Sequence, residues 1–547
     1  MSTSESKEDG TTRVVDIDAT REAKRATDAE HKMSFWQSLR TYPHAVGWSI
    51  LFSTALVMEG YDNALISTLF AYAPFQRAFG SPQSPDHPDE YQITAAWQSG
   101  LNNGALVGEV LGLFATGIIV ERYGYRKSLI GALLSCVAFI FIIFFAESLP
   151  MLLVGEILIG IPWGLFQTVT TTYASEVCPV VLRPYLTTYV NLCWVMGQLI
   201  SSGVLKAMTG RDDKWGYKIP FALQWMWPVP LAIGIALAPE SPWWLVRKER
   251  TDDARHALQR LTVPGRDPNF NADETIAMIR STNELEKRMT SGTSYRDCFR
   301  GVERRRTEIV CLTWAAQSLC GSALMGYSTY FYEQAGMSTD NAFTMSMVLY
   351  ILGAIGTISS WPLMTRFGRR TLYVSGLGIQ MILLLIIGFL GIISRESIPA
   401  QWAIGSLLLA YTFTYDATVG PICYSLVSEM SSTRLRTKTI VLARNLYNIC
   451  GLITNIINPR MLNPSAWDWG AKAGFFWAGM CFFCLLWAFF RLPEPKGRTY
   501  AELDLLFELK TPARKFSSTQ VDPFASERES PLVTKMEKPF TETVEKI

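Results

Sequence analysis

Two carboxylates, Glu59 and Asp62, stand three residues apart in the stretch "VMEGYDNALI" at 57–66, inside an otherwise apolar run. On a helix that spacing puts both on one face. If the run from Val46 to Phe70 crosses a bilayer, each carboxylate costs about 2.5–3.5 kcal/mol on insertion scales. Three more carboxyls lie in apolar segments: Glu109 in "LVGEVLG", Glu156 in "GEILIG", and Asp416. A single cation, Arg444 in "LARNLYN", opposes all five. Five carboxyls around one cation cannot all be ionised together in a low-dielectric core. Such groups suit the uptake and release of protons. A structural hydrogen bond to a neighbouring helix is the alternative for each.

What must position these groups is a membrane scaffold. Of 547 residues 49% are apolar and only 18% charged, with 17 Trp and 29 Phe; soluble chains carry about 25% charged residues. The mean hydropathy is positive, +0.15. Apolar segments long enough to span as helices occur near 46–70, 96–119, 128–146, 151–173, 186–206 and 220–238. Six more follow near 307–331, 341–364, 372–393, 401–428, 437–458 and 473–490. The spacing predicts an all-α membrane protein of twelve transmembrane helices in two six-helix bundles, 46–240 and 307–491. Between them lies a charged loop, 241–306, expected to form short helices. The polar ends, 1–45 and 492–547, read as disordered tails. The first 45 residues hold no apolar core of the kind a cleaved signal peptide needs.

Lys and Arg in short loops set orientation. Arg122, Arg126, Lys127, Arg183, Arg366, Arg369, Arg370, Arg434, Arg436 and Lys438 share a side with both ends of the chain. That side is expected to be cytoplasmic. The halves also repeat: "RYGYR" at 122–126 answers "RFGRR" at 366–370, and "PES" at 239–241 is echoed by "PEP" at 493–495. Glu176 and Arg183, seven apart, return as Glu429 and Arg436. Duplicated halves with a site at their interface are how secondary transporters are built. Glycine permits the tight turn between spans, and Arg122, Arg126, Arg366 and Arg370 can reach carboxylates or helix-end carbonyls. With the two Glu/Arg pairs they are expected to form a salt-bridge latch that stabilises one gating state. Plain positive-inside anchoring is the alternative.

The loops "ERYGYRKS", "PESPWWL", "RFGRRTLY" and "PEPKGRTYAELD" resemble the signature loops of the sugar porter branch of the major facilitator superfamily. The resemblance runs from about residue 46 to 508. Within the branch, "GIPWGLFQT…YASEVCPVVLRPYLTTYVNLCWVMGQLI" and "GYSTYFYEQAG" are similar to fungal maltose and α-glucoside permeases, proton symporters of the plasma membrane. The resemblance implies that Asp62, in the "GYD" motif, carries a proton, and that Glu59, Glu109 and Arg444 belong to the same machinery. One departure stands out. Sugar porters place Arg in the fourth helix as partner to the first-helix Asp, and here that position is Glu156. Arg444 is therefore expected to pair across the halves with one carboxylate, and protonation to break the pair.

A sugar offers many hydroxyls and an apolar ring face, so its pocket needs amides and aromatic platforms. Asn191 and Gln198 share one face of the fifth span; Gln317 and Tyr327 lie in the seventh, Tyr424 in the tenth, and Asn448 one turn after Arg444. Amides that glue helices together are the alternative. Ala323 stands where hexose porters have Asn, which leaves room for a second ring. The expected function is proton-coupled import of maltose or a related α-glucoside by alternating access. A transporter of another sugar or polyol, or a non-transporting sugar sensor, remains open. The implied partners are a sugar, a proton and the lipid bilayer, with the chain expected to be a monomer. No cofactor, metal or nucleic acid is expected: no basic stripe exists, and cysteines such as Cys136 and Cys193 lie in apolar segments. An enzyme is disfavoured, because His31, His44, His87 and His256 all fall outside the spans.

Overall fold

The computed structural model describes residues 4–6, 13–15, 34–84, 87–179, 181–263, 270–290, 294–393, 397–432, 435–496, 498 and 500–521. Eight helices there are long and apolar enough to cross a membrane, the sixth with a kink at Gln224–Met226. They are the second span (Ala95–Tyr123), third (Tyr125–Phe144), fourth (Leu149–Val177), sixth (Trp215–Leu237), eighth (Thr339–Phe367), ninth (Arg369–Leu390), eleventh (Arg436–Leu462) and twelfth (Ala473–Arg491). The other four complete the set of twelve, and each departs from a plain apolar helix. The first is Pro43–Ser53 joined to Ala55–Leu69. The fifth, Arg183–Met208, is continuous but polar on one face. The seventh breaks into Gly301–Leu319, Ala323–Gly326 and Ser328–Gln334, and the tenth into Ile398–Ala417 and Val419–Met430.

Broken backbone inside a bilayer is tolerated only where it is buried in protein or lines a cavity. The break in the seventh span passes through Gly321 at φ +103, a conformation side chains resist. The break in the tenth is at Thr418, with φ −130 and ψ −84. Broken or polar, these four spans are the ones that carry Glu59, Asp62, Asn191, Gln198, Gln317, Tyr327, Asp416 and Tyr424.

Within the N-terminal half, glycine lets spans approach to backbone contact. A Cβ on Gly108 would lie 2.0 Å from the carbonyl oxygen of Ile157, and one on Gly160 2.2 Å from that of Ala105. Small residues four apart drive this kind of packing in lipid, where no hydrophobic force joins helices. The contact holds the second span on the fourth and so fixes Glu109 and Glu156. The first and fifth spans meet the same way, with Gly60 against Trp194 and Gly197 against Val57. The halves meet where the fifth span packs on the eighth and the second on the eleventh.

Short described parts of both tails are ordered against expectation, while the expected disorder of 16–33 and 522–547 lies outside the described residues. Ser34 caps a helix over Phe35–Thr41, and Phe35 packs on Tyr185 with ring centroids 4.8 Å apart. At the other end Tyr500–Glu508 is helical, with Leu503, Leu506, Phe507 and Phe516 buried. Polar composition hid both, because a few apolar residues suffice to dock a short helix. The C-terminal bundle also begins earlier than expected, at Gly301, with Arg306 buried and paired with Asp504. In the middle loop Pro242–Arg247, Thr251–Leu261 and Ala272–Thr290 are helical. Short antiparallel strands, Ser4–Ser6 with Arg13–Val15 and Ser81–Ser84 with His87–Gln92, are the small additions to a helical chain.

Candidate functional site

Arg444, projecting from the eleventh span, donates to Glu109 Oε1 on the second span at 3.2 Å. The same terminal nitrogen donates to the side-chain oxygen of Gln167 on the fourth. Gln167 in turn donates through Nε2 to Glu59 Oε1 at 2.6 Å. One relay thus runs from the C-terminal half through three spans of the N-terminal half. Aromatic faces flank its cation: the guanidinium carbon lies 4.6 Å from the Tyr447 ring centre and 5.5 Å from that of Trp314. Ring quadrupoles stabilise a cation that has lost its water.

Asp62 and Glu156 are placed apart from that relay. Gln224, in the kink of the sixth span, donates to Asp62 Oδ1. Glu156 on the fourth span neighbours Asp62, and Asp62 Oδ2 and Glu156 Oε1 are buried without a hydrogen-bond partner. Both residues are buried, and among the described residues no Lys or Arg pairs with either. Four of the five carboxyls therefore fall into two arrangements, a cation-centred relay holding Glu59 and Glu109 with Arg444 and a carboxyl pair holding Asp62 and Glu156, while Asp416 lies apart from both, beside Asn191.

The expected substrate residues divide as well. Asn448 is fully buried beside Glu109, and neither of its amide atoms makes a well-formed hydrogen bond with protein. The indole nitrogen of Trp314 is likewise buried and unpaired, while its ring packs edge-on against Tyr424, 6.0 Å between centroids. Buried polar atoms without partners are what a hydroxylated ligand could satisfy. Gln198 is half-buried on the fifth span. Gln317 instead donates to the carbonyl oxygen of Gly420 at 2.7 Å, tying the broken seventh span to the broken tenth. Asn191 reaches across the halves to Thr357 Oγ1 at 3.1 Å. Tyr327 is buried, accepts from Asn102 and stacks near Phe70 at 6.4 Å. With Lys206 paired to Asp340, and Asn463 Nδ2 donating to the Ile93 carbonyl at 3.2 Å, it joins the two halves at the end away from the Gly-Arg loops.

At the opposite end the repeat is read by two glutamates that the sequence showed only as an echo. Glu240 of "PES" accepts from the backbone N–H of Tyr125 at 3.0 Å and of Arg126 at 3.2 Å. Glu494 of "PEP" accepts from Arg369 N at 2.9 Å and Arg370 N at 3.0 Å. Each carboxylate caps the first turn of the span that follows its Gly-Arg turn, where the helix dipole favours an anion. Burial pushes the Glu240 carboxyl up, and the amides of Ser241, Arg126 and Tyr125 pull it back. Gly124 and Gly368 both sit at φ +87, and a Cβ on either would strike the capping carboxylate, at 2.5 and 2.7 Å.

The ion pairs differ from the sequence spacing. Glu176 pairs with Arg247 at 2.9 Å, and Glu429 with Arg369 at 3.1 Å. Arg183 Nε donates to the Cys178 carbonyl at 3.1 Å, Arg126 to that of Ala238 at 3.3 Å, and Arg370 to that of Leu492 at 2.8 Å. Arg122 and Arg366 lie over the rings of Tyr123 and Phe367. Arg436 begins the eleventh span. The seven-residue spacing misleads because a helix ends between its members, at Val177 in the first copy and Met430 in the second. Gln167, Gln224, Trp314, Arg247, Glu240 and Glu494 are the residues that sequence reasoning passed over as site members. For the two glutamates, the "PES"/"PEP" repeat was the available signal. Among the described residues no group of three or more His, Cys, Asp or Glu could cage a metal.

Residues 48–507 match the family described as "Sugar (and other) transporter". The chain is 50% identical over 514 residues to an alpha-glucosides permease of Saccharomyces cerevisiae, MPH3, covering 93% of this chain and 85% of that protein. It is 48% identical over 513 residues to the maltose permease MAL61 of the same organism, covering 93% and 83%. Among solved structures it is similar to the xylose transporter XylE from E. coli in a partially occluded inward open conformation. That match has a TM-score of 0.68 at 19% identity, covers 84% of this chain and 100% of the other, and speaks to the fold.

Proposed function

The chain belongs to the sugar (and other) transporter family, and from that premise we propose that it imports maltose or a related α-glucoside together with a proton. The membrane is the plasma membrane, with the Gly-Arg loops and both ends of the chain in the cytoplasm. The names of its half-identical relatives, permeases for α-glucosides and maltose, support the substrate class. The observation that carries the coupling is the Arg444–Glu109 pair, because it joins the two halves through a group that can be neutralised by one proton.

In the joined state Arg444 is shared between Glu109 and Gln167, and Gln167 holds Glu59. Protonating Glu109 removes the charge that holds the guanidinium. The second and eleventh spans are then free to separate as the halves rock. Sugar hydroxyls meet Asn448 and the Trp314 indole N–H beside the same relay, so ligand and proton act on one interface. Coupling supplies about 2.3 kcal/mol per 100 mV of potential and about 1.4 kcal/mol per pH unit. With 100 mV and somewhat more than one pH unit, roughly thousand-fold accumulation becomes accessible.

The test is uptake of labelled maltose by cells that lack disaccharide transporters and express this chain, with other sugars as competitors. Accumulation of maltose against its gradient, competed by α-glucosides and not by glucose, is expected. Uptake of glucose or a polyol without any α-glucoside would refute the substrate assignment.

A further inference from the structure

We infer that Asp416 is a second proton-binding site, in the C-terminal half, whose proton holds the fifth span against the eighth and tenth. The inference rests on the chain being a proton-linked transporter. It concerns a carboxyl outside both acidic arrangements of the N-terminal half.

Asp416 sits two residues before the break in the tenth span and is 5% exposed. Its Oδ1 accepts from Asn191 Nδ2 on the fifth span at 3.4 Å, while that nitrogen also donates to Thr357 Oγ1 on the eighth at 3.1 Å. One amide therefore ties three spans and both halves together. The other oxygen lies in a groove made by two glycines of the eighth span. A Cβ on Gly353 would come within 2.7 Å of Oδ2, and one on Gly356 within 3.1 Å of the Asp416 Cβ. Of titratable groups, Tyr350 faces it from the eighth span and Tyr415 adjoins it on its own. The fifth span presents Asn191 and the apolar Val195. Among the described residues no Lys or Arg pairs with it.

A buried carboxylate with one long amide bond and no cation is left largely uncompensated. The neutral acid fits the glycine groove as it stands, whereas the ionised form requires water. Water can reach it only if the fifth span draws away from the eighth and tenth. The protonated group thus favours the joined arrangement and the ionised group the parted one. This places a proton-sensitive contact at the interface that must open during alternating access.

Spin labels at Met196→Cys and Ile358→Cys, on exposed positions of the fifth and eighth spans, report that interface directly in liposomes without sugar. Because no sugar is present, the outcome is independent of the substrate assignment. With native Asp416, a longer-distance population is expected to grow as pH rises from 5 to 8. In Asp416→Asn, which mimics the neutral acid, that growth is lost and the short distance persists. Asn191→Ala serves where Asp416→Asn does not fold, and is expected to displace the pH midpoint of the change. A pH-independent distance with native Asp416, or an unchanged pH response in either variant, would overturn the inference.

Discussion

Arg444 and Glu109, on spans from opposite halves, approach to 3.2 Å with their side chains 16% and 5% exposed. Removing one partner of a buried pair leaves the other charge uncompensated, typically at about 3–5 kcal/mol. Arg444→Ala is therefore expected to abolish maltose accumulation. Arg444→Lys keeps the charge but loses the planar guanidinium that lies over Tyr447 and Trp314, so uptake falls by about tenfold or more. Pairing Arg444→Ala with Glu109→Gln removes the stranded charge and is expected to restore exchange of sugar across the membrane without restoring accumulation. Labelled uptake and counterflow separate these outcomes.

The two capping glutamates predict a symmetric stability effect. Glu240→Gln and Glu494→Gln each remove an anion that accepts from two or more backbone N–H groups at a helix start. Each is expected to cost about 1–2 kcal/mol, and the double variant about the sum, because the sites lie in different halves. Thermal unfolding in detergent, followed by tryptophan fluorescence, reads the loss.

Glycine packing gives a sharper contrast. Gly160→Ala places a methyl 2.2 Å from the carbonyl oxygen of Ala105, a contact only backbone movement relieves. A cost of about 1–3 kcal/mol or more is expected, with reduced folded yield. Gly131 meets nothing within 4 Å, so Gly131→Ala is expected to stay within about 0.5 kcal/mol of the parent. Size-exclusion yield and thermal midpoint compare the pair.

The docked C-terminal helix predicts that Phe507→Ala destabilises the whole C-terminal half. Phe507 is 1% exposed, and the guanidinium carbon of Arg306 lies 4.6 Å from its ring centre. Emptying that position is expected to cost about 3–5 kcal/mol. Limited proteolysis should then cut near residues 500–521 at lower protease concentration than in the parent.

Much of this architecture was legible in the residues. Long apolar runs show as spans because lipid demands about twenty apolar residues in a row. The Gly-Arg repeats mark equivalent turns because only glycine accepts φ near +87 there. Glu59, Asp62 and Arg444 announce themselves by the cost of charge among apolar neighbours. Gln167 and Gln224 do not, since a neutral amide in an apolar helix carries no signal until its partner is known. The division of the carboxyls into a relay and a pair was equally hidden. It depends on how the fourth and sixth spans rotate, which backbone contacts at Gly160 and the kink at Gln224 decide. The tails misled in the other direction, because composition averages over Phe507 and Phe516, the residues that dock.

The most direct test of the central claim is the external pH of de-energised cells expressing the protein when maltose is added, with glucose and sucrose for comparison. Proton symport through the Arg444–Glu109 pair predicts alkalinisation of the medium with maltose, lost in Glu109→Gln. Entry of maltose with no change in external pH would contradict it.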